Sequence, residues 1–301
     1  MHRPKKEIKT KLQSMPRVML LLLLFVTSNV YSQEYGLRSY IGSMHYMGDL
    51  APLSANLSAS RAHIATKVSH TIKVNEIVTY FSSVVIGKVS GDDALSADPA
   101  RKRRNLSFES NIYEFGVGME ISFVSLIPKI GKYGIDVFMT GGISTFHMNP
   151  RTLYEGHWYK LQALGTEGQG LDLKDSNFEN WPFIDDSFYK DKYKLWQLAF
   201  PFGVGCSFKI NDRFSFGLEI VPRFTLTDYL DDVSSNYLAT SFQSEIQGPT
   251  IARLANRSGI DYANSGAMRG DSNDKDWYIF NSLTFVMSLA NIDRKIKKKR
   301  S

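Results

Sequence analysis

The chain has 301 residues, 43% of them hydrophobic, a formal charge of +6 and one cysteine, Cys206. A lone cysteine excludes a fold stapled by disulfides within the chain, and no stretch after the N-terminal segment offers the 18 apolar residues of a spanning helix. The positive charge does not point to nucleic acid: Arg3, Lys5, Lys6, Lys9, Lys11 and Arg17 fall in a segment expected to be removed, which leaves the remainder near neutral.

That segment reads "MHRPKKEIKTKLQSMPR", then the apolar run "VMLLLLLFV", then "TSNVYS". Basic, apolar and small-polar regions in this order form an export signal. Val30 and Ser32 fit the positions three and one before a cleavage point, so residues 1–32 are expected as a signal peptide and Gln33 as the mature start. The alternative, a short membrane anchor, needs a run of roughly 20 apolar residues, which this one does not reach. No cysteine follows the segment to carry a lipid.

From residue 33 to 290 the pattern changes to two-residue alternation bounded by turn residues, the mark of strands with unlike faces. Eight strands are expected, near 35–46, 61–70, 75–89, 108–123, 132–148, 195–209, 213–229 and 276–290. The fourth sets Tyr113, Phe115, Val117, Met119, Ile121 and Phe123 against Glu114, Gly116, Gly118, Glu120 and Ser122. The sixth, "LWQLAFPFGVGCSFK", puts Phe200, Phe202 and Val204 on one face with Gly203, Gly205 and Lys209 opposite. In the seventh, "RFSFGLEIVPRFTL", Phe214, Phe216, Leu218 and Ile220 oppose Arg213, Glu219 and Arg223. Pro222 cannot donate a ladder hydrogen bond and is expected to mark a bulge or bend.

Connections alternate long and short along the chain. Long ones fall near 47–60, 90–107, 149–194 and 230–275, and short ones near 71–74, 124–131 and 210–212. An eight-stranded antiparallel transmembrane barrel has this layout, with short periplasmic turns, long extracellular loops and periplasmic termini. Closure is demanded by the bilayer, where an unpaired strand edge is costly. Phe214, Phe216, Leu218, Ile220, Phe200, Phe202 and Val204 are then expected to face outer-membrane lipid. Glu114, Glu120, Asp136, Lys209, Arg213, Glu219 and Arg223 are expected in the lumen as a cross-linked plug without an open pore. Tyr35, Tyr46, Tyr133, Trp196, Tyr229, Trp277 and Tyr278 are candidates for interfacial girdles.

The segments "SMHYMGDLAP", "GKVSGDDALS", "LAFPFGVGCSFKINDRFSFGLEI", "TLTDYLDDVSSNY" and "MRGDSNDKDWYIFNSLTF" resemble the PorG-like outer-membrane barrels of Bacteroidetes, a family associated with type IX secretion. The likeness runs from about Tyr35 to about Leu289, strongest at "TDYLDDVS" and "RGD...DWYIF". The resemblance implies a non-enzymatic part of the type IX secretion apparatus that contacts its periplasmic ring proteins and lipoprotein. A structural or adhesive small barrel is the alternative, and a lipid-modifying barrel enzyme a third.

Within the family-motif loops, Asp228, Asp231 and Asp232 could offer oxygen ligands to calcium but lack the regular spacing of a calcium loop. Capping of backbone N–H groups, or pairing with a nearby Arg, is the expected role. Arg269, Gly270 and Asp271 spell an adhesion tripeptide, which also reads as a turn into the last strand. Ser144 and His147 lie close in sequence but share neither parity nor an acid partner, so no catalytic residue is expected. No cofactor, metal or small-molecule substrate is expected either. The basic tail, 291–301, ends in "RKIKKKRS" and is either a solvated tail or a partner contact.

Overall fold

The computed structural model describes residues 34–50, 61–124, 131–171, 190–262 and 266–289. The expected signal peptide and the basic tail lie outside the described residues. In chain order the strands are β1 (Glu34–Met47), β2 (His63–Lys73), β3 (Val78–Asp92), β4 (Ser107–Ser122), β5 (Ile135–His147), the short β6 (Arg151–Tyr154) and β7 (His157–Lys160), then β8 (Trp196–Lys209), β9 (Phe214–Thr225) and β10 (Trp277–Ser288). Short helices α1 (Pro99–Arg104), α2 (Leu161–Leu164), α3 (Thr240–Gln247) and α4 (Pro249–Ala255) sit in the long connections.

The eight long strands form one antiparallel ladder in the order β3-β2-β1-β10-β9-β8-β5-β4, and β3 pairs with β4 to close it. Closure leaves no free edge among them, which is what spanning strands require. The hairpin β6–β7 falls within the connection expected as a loop over 149–194, and three details of the barrel strands also differ from the sequence-based expectation. The β2–β3 turn lies about three residues later than expected, because Asn75 Oδ1 accepts from the N–H of Ile77 and of Val78 and bends the chain there. β9 stops at Thr225, whose Oγ1 accepts from the N–H of Thr227 and competes with the ladder. At Pro222 there is no bulge. Pairing between β8 and β9 lapses between Pro201–Arg223 and Val204–Ile220 and resumes in the same register, since two prolines lack the donors.

Outward-facing Phe200, Phe202, Val204, Phe216, Leu218 and Ile220 are all exposed on the wall, and Phe214 is half-buried against Phe285. Inward, Gly118 pairs with Gly142, and a Cβ on either would strike the other strand's backbone. The ring of Phe81 fills the space this leaves in the lumen. Three ion pairs cross the interior: Arg38 with Glu120 at 2.6 Å, Lys67 with Glu219 at 3.2 Å and Arg223 with Glu114 at 3.3 Å. Tyr278 also donates to Glu114 at 2.7 Å. Side chains thus plug the barrel's middle, and below them a cavity of about 410 Å³ opens toward the short turns.

Three expected members of the plug, Lys209, Arg213 and Asp136, do not join its ion pairs. Lys209 is bonded to Asp212 at 2.8 Å in the β8–β9 turn, and Arg213 is exposed beside it, because both stand at the strand ends where the lumen meets solvent. Asp136 lies half-buried near the same mouth, accepting from Ser122 Oγ at 2.6 Å. Tyr46 and Tyr278, expected in a girdle, are buried instead, since their parity in β1 and β10 turns them inward. Tyr229 stacks on Tyr193 within the loops at 4.7 Å.

Candidate functional site

The described parts of the long connections pack into a cap over one end of the barrel, and the acidic run after β9 is its centre. Asp231 and Asp276 both reach the hydroxyl of Tyr46, at 2.6 and 2.8 Å. A phenol has one hydrogen to donate, so one of these carboxyls must itself carry a proton to make the second bond. Their second oxygens accept from backbone: Asp231 from Val233 N–H and Asp276 from Leu230 N–H. Burial and neighbouring carboxylates, Asp49 for the first and Asp231 for the second, push both well above the usual carboxylate range. Asp228 is buried with no hydrogen bond of good geometry to either oxygen among the described residues, and its burial raises it to about 7, with the nearby Ser234 hydroxyl opposing the rise.

Asp232 turns the chain with φ at 70°, a left-handed conformation that aspartate tolerates better than most residues. Its carboxylate accepts from Thr166 at 2.5 Å and from Tyr193 at 2.7 Å. Burial lifts it to about 6, although Arg269 opposes the rise. Arg269 is 3% exposed and bonds Glu167 Oε1 at 2.9 Å and the Asp232 carbonyl at 2.5 Å. Glu167 in turn accepts from the N–H groups of Ser234 and Ser235. On the far side Arg104 clasps Asp93 at 2.8 and 2.9 Å and donates to the carbonyls of Arg269 and Asp49.

Of the three acids expected to cap backbone donors or pair with arginine, Asp231 caps Val233 N–H, Asp232 lies 3.8 Å from Arg269, and Asp228 does neither; Asp276 adds a second cap, at Leu230 N–H. Among the described residues no group of three or more His, Cys, Asp or Glu side chains is arranged to hold a metal. In the adhesion-like tripeptide, Arg269 and Gly270 are buried and only Asp271 is exposed, so this conformation cannot present the arginine to a receptor. Ser144 points into the wall and donates toward the Ala199 carbonyl at 3.4 Å, whereas His147 lies outside between Tyr113 and Trp196. They sit on opposite faces and form no dyad.

Sequence reasoning missed Glu167, Tyr193 and Arg104. Glu167 lies in "LGTEGQG", where Gly165, Gly168 and Gly170 all adopt positive φ. Such tight glycine turns bury a carboxylate that composition alone would assign to solvent.

A closed eight-stranded ladder, an apolar outer band, a charge-paired lumen, and short turns at one end against a folded cap at the other define a transmembrane β-barrel of the outer-membrane type. Residues 15–163, just short of half of the chain, match the sequence family described as "Domain of unknown function (DUF6089)". None of the curated proteins matches the sequence. Among solved structures the chain is similar to the outer membrane protein OprG from Pseudomonas aeruginosa, at 7% identity and a TM-score of 0.40 over 85% of this chain and 96% of that one. It is also similar to a major outer membrane protein from Thermus thermophilus, at 9% identity and 0.39 over 86% and 100%. A third is Ail, the attachment invasion locus protein of Yersinia pestis, at 6% identity and 0.37 over 86% and 100%, in complex with the heparin analogue sucrose octasulfate. At these scores the likenesses carry no argument, and the class rests on the closed sheet itself.

Proposed function

We propose that the protein is a non-enzymatic outer-membrane component of the type IX secretion apparatus of Bacteroidetes, which contacts the periplasmic ring proteins and lipoprotein of that machine. One observation supports this reading above others. The two segments with the strongest likeness to the PorG-like family, "TDYLDDVS" and "RGD...DWYIF", meet in the cap, where Arg269 bonds Asp232 and Asp276 bonds Leu230. The motif thus maintains one folded structure. A lumen filled by ion pairs fits an anchor better than a channel. In this reading Glu34 and Ser288, which share the short-turn end, face the periplasm, and the cap faces outward. Partner contacts then use the three short turns and the tail.

Deleting the gene in its native host and quantifying type IX cargo in the medium and on the cell surface tests the proposal. Loss of export, restored by the wild-type gene, supports it. Untouched export with altered adhesion or envelope would transfer interest to the cap and favour a structural or adhesive barrel. Cysteine labels at Asn236 and at Asp212 in a Cys206→Ser background test the topology: the first is reachable from outside intact cells and the second is not.

A further inference from the structure

One outer face of the molecule carries a charge imbalance beside an exposed apolar pair. β6 and β7 form a hairpin joined to β4 through Glu109 and Arg151. On the hairpin's outward face Arg151 stands directly opposite Lys160, and Leu153 directly opposite Trp158. Like charges paired across strands repel. Arg151 leans on Glu109 at 2.5 Å, but Glu109 also accepts from Lys88 at 3.2 Å, and Lys160 makes no ion pair among the described residues. Two cations therefore share one carboxylate, and a third, Lys160, stands beside them with none among the described residues. Leu153 and Trp158 are 50% and 49% exposed, with the Arg151 guanidinium 4.5 Å above the indole.

The depth of this face follows from β4. Four residues below Glu109, Tyr113 opens an aromatic belt with His147, Trp196 and Phe115. At about 3.3 Å per residue and a tilt near 40°, the hairpin lies about 10 Å beyond that belt, in the headgroup layer rather than the hydrocarbon. Tryptophan beside arginine and lysine suits that layer, where an apolar body and anionic groups meet.

We infer that the outward face of the β6–β7 hairpin, with Lys88, docks the phosphate groups of an outer-leaflet glycolipid. Among the described residues Arg151 Nη1 has no hydrogen-bond partner while Nε and Nη2 serve Glu109, and the Lys88 and Lys160 ammoniums have donors to spare. Leu153 and Trp158 lie against the proximal acyl chains. A free anion would match the cations and leave the apolar pair unexplained, which is why the lipid is the occupant. The inference rests on the proposed outward orientation of the long connections, though not on the secretion role.

The test uses the full chain in neutral detergent micelles and native mass spectrometry with bisphosphorylated lipid A. Retention of the lipid is expected, weakened at least tenfold in Lys88→Gln/Lys160→Gln and abolished for dephosphorylated lipid A. Both lysines are exposed or half-exposed, and unchanged heat-modifiable migration would show that the variant folds. Equal retention of the dephosphorylated lipid, unchanged retention by the double variant, or full displacement by millimolar inorganic phosphate would each overturn the inference. Failure of the export assay leaves this result standing, whereas a hairpin label unreachable from outside cells would remove the orientation on which both rest.

Discussion

The lumen and the cap both bury charge, but they balance it differently. In the lumen each carboxylate meets a cation supplied by another strand: Glu114 with Arg223, Glu120 with Arg38, Glu219 with Lys67. Beneath the cap, Asp231 and Asp276 are held by a phenol and backbone N–H groups, while among the described residues buried there cations pair with Asp232, Glu167 and Asp93. Strands in a closed ladder have fixed register, so opposite charges can be placed with little freedom lost. Loops bring backbone donors instead, and a carboxyl buried among them is easiest to keep when it holds a proton.

The largest expected effect is in the lumen. Arg223→Ala leaves Glu114 charged and unpaired, which should cost about 3–5 kcal/mol in urea unfolding of the refolded barrel. Adding Glu114→Gln should recover much of it. If Arg223→Ala unfolds at the wild-type urea concentration, the ion pair is not what holds the plug.

Next comes the outer wall. Leu218, exposed on β9 and opposite Leu283, is placed to face hydrocarbon, and Leu218→Arg should cost about 2–4 kcal/mol in lipid vesicles. The same change at Asn236, in the cap, should cost far less. Equal tolerance at the two sites would contradict a spanning wall.

A pH series sharpens the contrast with the cap. Asp228 titrates near 7 when folded and near 3.9 in an unfolded chain, so the folded form holds its proton more tightly. Stability from the protonated form is complete below about pH 4 and is lost as pH rises through about 7. Asp231 and Asp276, raised in the same direction, act with the same sign. Amide exchange at Leu230 and Val233, corrected for the intrinsic rate, should be faster at pH 8 than at pH 5, and Asp228→Asn should flatten the difference. Slower corrected exchange at pH 8 would reverse the assignment. The smallest effect is expected at the short turns, where Lys209→Gln breaks an exposed pair with Asp212 and should leave unfolding unchanged.

How much of this is legible in the chain depends on the range of the interaction. Phe216 and Leu218 alternate with Gly217 and Glu219 because a strand turns each successive side chain to the other face, and that rule is local. Pro222 shows its limit: a missing donor is legible, but whether the ladder bulges or merely lapses depends on Pro201 across the pair. In the cap, the "TDYLDDVS" run marks itself as special by its acids, while Glu167, far away in sequence, looks like an ordinary loop residue.

The sequence by itself determined the eight barrel strands, the unlike faces of the wall and the segregation of long and short connections, because a period of two and a run of turn residues are properties of neighbours along the chain; the four-residue strands β6 and β7 are too short to show such a period. Only the tertiary structure decided that Arg38 and Lys67 complete the lumen pairs, that Tyr46 and Tyr278 turn inward, and that Arg269 is locked beneath the cap. Those outcomes follow from barrel closure and strand stagger, which bring together side chains as far apart in sequence as Tyr46 and Asp276, 230 residues, and no local pattern records which of them will meet.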